Sequence, residues 1–73
     1  ASGQTLQELI AICHLNIGLC YIGKARDADK ANDKGKADLY HKTALEYFTQ
    51  GMQEDPTYPN VKEAYETYKD SYK

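Results

Sequence analysis

Cys13, His14, Cys20 and His41 are the side chains whose types could support nucleophilic or metal chemistry, and their spacing argues against both. Cys13 and His14 are neighbours, and adjacent residues on a helix point about 100° apart, so they make a poor thiolate-imidazole pair. His14 and His41 fall in different helical segments. Neither has a Cys, Asp or second His four residues on to complete a metal-binding face. Cys13 and Cys20 are seven residues apart, a helical rise of ~10.5 Å, beyond the ~4.4 to 6.8 Å Cα separation a disulfide accepts. They are expected to be small buried hydrophobes kept reduced, which favours a cytoplasmic setting. Asp27, Asp29, Asp33 and Asp38 are interleaved with lysines as on a solvated face, without the ligand order of an EF-hand loop. No Gly-rich phosphate loop occurs. The expectation is a protein that is not an enzyme and holds no metal or cofactor.

The 73 residues suit one small domain, 1 to 73, or a fragment of a larger chain. Hydrophobic residues make up 41% and charged residues 27%, a composition that should fold. The net charge of −2, with lysines interspersed, offers no basic stripe and argues against nucleic acid. The longest apolar run, 9 to 22, contains His14 and Asn16 and is shorter than the ~20 residues of a membrane span. No basic segment precedes it as in a signal peptide, so no membrane insertion is expected.

The elements that would carry these side chains read as three helices, 5 to 33, 36 to 54 and 59 to 72. Thr5 can cap the first, with Glu8 completing a capping box. Leu6, Leu9, Ile10, Cys13, Ile17, Cys20 and Tyr21 then share one side, and Ile12, Leu15, Leu19 and Ile22 a neighbouring one. From 24 to 38 the sequence turns to Ala, Lys and Asp, with Ala25, Ala28 and Ala31 forming a thin small-residue line. Asn32-Asp33-Lys34-Gly35 is the expected break, with Gly35 suited to the left-handed conformation that ends helices. In the second helix Leu39, Tyr40, Ala44, Tyr47, Phe48, Gly51 and Met52 recur at helical spacing. Pro56 and Pro59 bracket the next turn, after which Val61, Tyr65, Tyr68 and Tyr72 form a stripe.

Within the first two helices the order is His14-x2-Ile17-Gly18-x2-Tyr21, then Ala44-x3-Phe48, then Glu54-Asp55-Pro56. This pattern resembles the tetratricopeptide repeat, with Ala11 at the opening small position and Gly51 where the family usually has Ala. Two departures stand out. His14 replaces the usual Trp, and the gap from Tyr21 to Ala44 is about 14 residues longer than a 34-residue repeat allows. Two extra turns on each arm would absorb the excess and keep the faces in register, which is preferred here to a loop at 24 to 38. The resemblance therefore implies an all-α fold: an antiparallel tetratricopeptide-like helix-turn-helix with lengthened arms and a third, C-terminal helix. It also implies that Gly18 and Gly51 are points of close helix crossing.

In function the resemblance implies a protein-protein interaction scaffold. By alignment Ile12, Leu15, Leu19 and Ile22 map to the surface on which such repeats hold a partner. The family's clamp for chaperone tails uses an Asn directly after the glycine; Leu19 stands there, which disfavours that ligand. Three occupants of the face remain open: a partner segment, the rest of a parent chain, or a second copy in structural self-assembly.

Overall fold

A computed structural model describes residues 5–70. It contains α1 (Leu6–Lys30), α2 (Lys34–Glu54) and α3 (Pro59–Tyr68). The radius of gyration, 13.1 Å, exceeds the about 11 Å of a compact chain this long. The long axis of 48 Å follows the two long helices.

Capping chemistry sets the helix ends. The Thr5 hydroxyl accepts the Glu8 N–H at 3.1 Å and starts α1. The helix runs through Gly23 to Lys30, so the lengthened arm is helical. The break falls within the expected 32 to 35 stretch, but the residue in the left-handed conformation is Asn32, φ 61°, rather than Gly35. The Asp33 N–H reaches Ala28 C=O at 2.8 Å and the Asn32 N–H reaches Asp29 C=O at 3.0 Å, the pairing of a Schellman motif. Asn tolerates this backbone because its short polar side chain can bond locally. Asp33 is then free to cap α2, its carboxylate accepting the Lys36 N–H at 3.2 Å, and Gly35 lies inside the first turn of α2. After Asp55 the carboxylate accepts both the N–H and the hydroxyl of Thr57, closing the turn into Pro59. The described part of α3 ends at Tyr68; Tyr72 and the helix expected to reach it lie outside the described residues.

The hairpin core is a seam of small residues. On α1, Ala11, Gly18 and Ala25 are buried at seven-residue intervals; on α2, Ala37, Ala44 and Gly51 are buried at the same interval. A Cβ built on Gly51 would lie 3.4 Å from the Ala11 carbonyl oxygen, which fixes an antiparallel register of residue 11 against residue 51. That register sets Gly18 level with Ala44 and Ala25 level with Ala37. The added arms are therefore zipped by the same pattern as the rest. A seven-residue repeat keeps one face inward with slight supercoiling, and small side chains allow close approach. Bulk fills the spaces between layers. Phe48 is fully buried against Gly18, and Ile22, 4% exposed, joins it in the core with Leu15 packed against the cluster.

α3 runs antiparallel to α2 and is held near both ends. Val61, fully buried, sits over Gly51, where an added Cβ would lie 3.0 Å from Val61 Cγ1. The Tyr68 ring stacks on Phe48 at 6.2 Å. The His41 Nε2–H donates to the Tyr68 carbonyl at 2.6 Å, and His41 is buried in the process.

The two glycines of the LNIGLCYIGK stretch should therefore respond oppositely to alanine. A Cβ on Gly18 would lie 2.7 Å from Phe48 Cδ1, while one on Gly23 meets nothing within 4 Å. Gly18→Ala is expected to lose about 1 to 3 kcal/mol through overpacking. Gly23→Ala should gain about 0.5 to 1 kcal/mol from helix propensity. Urea unfolding followed by circular dichroism checks both signs.

Candidate interaction surface

α1 carries no charged residue between Glu8 and Lys24. Its inward face is used by the small-residue seam, so its large apolar side chains are divided between the core and the surface. Of the four residues mapped to a partner face, Ile22 is in the core and Leu15 packs against it. Ile12 is half-buried, and Leu19 is exposed at 39%. The structure thus does not present the four together as one open surface.

What it does present is part of the other line, the one that includes Cys13 and Cys20. Leu6, Leu9 and Ile17 are exposed at 70%, 45% and 40%, and Cys13 and Cys20 on the same line are exposed too. The expectation of buried cysteines is overturned. Because residues 9 to 22 are apolar nearly all round, small size rather than hydrophobicity selects the inward face, and the cysteines lie opposite Ala11, Gly18 and Ala25. Leu39 of α2, counted among the helical-spacing apolar positions, is likewise exposed, lying opposite the α2 seam.

One edge of the hairpin is aromatic. The Tyr21 ring stacks on Tyr47 at 5.8 Å and tilts against Tyr40 at 6.0 Å, and His14 lies 6.0 Å from Tyr47. Lys24 Nζ stands 5.6 Å and 5.8 Å from the Tyr21 and Tyr40 ring centres, a cation-π arrangement that ends the row. The His14 Nδ1–H donates to the Ile10 carbonyl at 2.9 Å, which fixes its ring along α1. These contacts make the row a structural brace across the two helices.

Among the described residues no three His, Cys, Asp or Glu side chains cluster as metal ligands. Surface hollows are open, such as that between α2 and α3 bordered by Leu45, Thr49 and Tyr65. On α3 the Glu66 carboxylate bonds Lys69 at 2.8 Å and raises the pKa of its ammonium, an exposed pair of little energetic weight. α1 is long and apolar enough to cross a membrane by length and composition alone. No family model, curated protein or solved structure matches the chain.

Both cysteine thiols should be accessible in the folded chain. Titration with a chromogenic disulfide reagent is expected to modify Cys13 and Cys20 at comparable rates without denaturant. Protection of either thiol until the chain unfolds would contradict the placement of the outward face.

Proposed function

We propose that this chain is a non-enzymatic protein-protein interaction module of tetratricopeptide type, which holds an apolar helix of a partner against the outward face of α1. The observation that carries the reading is the 15-residue uncharged segment from Leu9 to Gly23, on whose outward face Leu9 and Ile17 remain about two-fifths exposed after the hairpin has formed. A continuous apolar stripe left in water is a site of association. Its geometry, one helical face about four turns long, suits an amphipathic helix anchored at spacings of three and four. The sequence pattern around Gly18, Tyr21, Ala44, Phe48 and Pro56 supports the family assignment.

A protein partner fits better than a bilayer. α2 packs along α1 and carries Lys34, Lys36, Asp38, Lys42 and Glu46. Crossing a membrane would either take those charges into hydrocarbon or dismantle the small-residue seam. The segment that follows the stripe interleaves Lys24, Arg26 and Lys30 with Asp27 and Asp29, so its basic residues are largely offset before they could attract anionic headgroups.

The test is a selection of amphipathic helical peptides against the immobilised chain. Selected peptides should lose at least tenfold in affinity towards Ile17→Asp and Leu9→Asp, two exposed substitutions that leave the helical circular dichroism unchanged. Peptides that bind both variants as tightly as the parent would refute the assignment of this face.

A further inference from the structure

α3 meets the hairpin through Val61, Ala64, Tyr65 and Tyr68. Their spacing of i, i+3, i+4 and i+7 is the one by which an amphipathic helix of one protein docks into a groove of another. We propose that α3 is the built-in occupant of a helix-binding notch on the hairpin, and that an amphipathic helix of the same pattern from another protein displaces it. The notch is framed by Gly51, Phe48 and His41 of α2, so this surface is separate from the outward face of α1.

The notch reads its occupant at three points. At Gly51 an added Cβ would lie 3.0 Å from Val61 Cγ1, so the bare backbone there admits a branched side chain that a larger residue would crowd. Seven residues on, the Phe48 ring takes the Tyr68 ring in a stack at 6.2 Å. Beside it the buried His41 donates its Nε2–H to the Tyr68 carbonyl at 2.6 Å, a contact to backbone that any helix ending there can supply. Lys62, Glu63 and Glu66 stay exposed on the other side of α3. The partner is therefore a short helix with a β-branched residue, a tyrosine seven positions on, and its charges confined to the opposite face.

α3 is built to separate. Its 10 residues fall short of the ~12 to 15 with which a helix persists alone in water, so its order comes from docking. The connection to α2 keeps its hydrogen bonds to itself: the Asp55 carboxylate accepts the Thr57 N–H and hydroxyl, and the Tyr58 N–H reaches the Asp55 carbonyl at 3.1 Å. Release of α3 breaks none of these. The α1–α2 seam, with Phe48 against Gly18, is likewise complete without α3. What holds α3 in place is its tether, which sets an effective concentration on the order of millimolar that a competing helix must overcome.

The test uses the full chain and a fluorescent peptide of residues 57–70 as the competing helix, with binding read by anisotropy. Val61→Asp in the chain should undock its own α3 and raise peptide affinity at least tenfold over the parent chain. The same substitution in the peptide should abolish binding. In the parent chain, amide hydrogen exchange should run at least tenfold faster in Glu63 to Tyr68 than in Ala44 to Phe48, because α3 opens while the hairpin stays closed. Equal protection of the two stretches overturns the proposal, as does a helical Val61→Asp chain that takes up the peptide no better than the parent. A Val61→Asp chain that loses all helical circular dichroism would show α3 to be inseparable from the hairpin and overturns it as well.

Discussion

The arrangement depends on how closely α1 and α2 approach one another. Six small buried residues, Ala11, Gly18 and Ala25 facing Ala37, Ala44 and Gly51, form three layers at seven-residue intervals. Two glycines in helix interiors cost about 1 kcal/mol each against alanine. Close packing offsets that cost: the fully buried Phe48 ring occupies the space beside Gly18, and Val61 that beside Gly51. Each glycine thus receives a large side chain from another helix. Gly18 seats α2 and Gly51 seats α3.

From this seam the remaining features follow. With small residues inward, the aromatic side chains Tyr21, Tyr40 and Tyr47 are displaced to an edge, where they brace the two helices by ring contacts. His41 lies in the seam between Ala37 and Ala44, and its imidazole reaches the Tyr68 carbonyl to anchor the end of α3. The larger apolar residues of α1 that cannot enter a close helix crossing are left on the outside. The exposed stripe is the other side of the same constraint.

The elements were largely legible in the residues. Thr5, Asp55, Pro56 and Pro59 mark boundaries by side-chain or ring chemistry, and the Ala- and Lys-rich stretch after Gly23 keeps its helical preference. Gly18 was legible as a crossing point through its spacing from Tyr21 and Phe48. Within the expected break the left-handed residue is Asn32 rather than Gly35, because Asn can adopt that conformation too and Asp33 after it supplies the next cap. The orientation of α1 was not legible from hydrophobicity. Where residues are apolar on every side, periodicity has no contrast, and Cys13, Ile17 and Cys20 look as fit for a core as Leu15 and Ile22. The signal that separates them is side-chain volume: the intervals 11-18-25 and 37-44-51 are occupied only by Ala and Gly.

The central claim is that the void above Gly18 and the ring of Phe48 are complementary and jointly determine which side of α1 faces inward. A double-mutant cycle of Gly18→Ala and Phe48→Leu, measured by urea unfolding, tests it most directly. The account predicts that the methyl group is better tolerated once the ring is gone, with a favourable coupling of about 1 kcal/mol or more between the two sites. Additivity within ~0.5 kcal/mol would show that the two residues do not meet as described and would contradict the account.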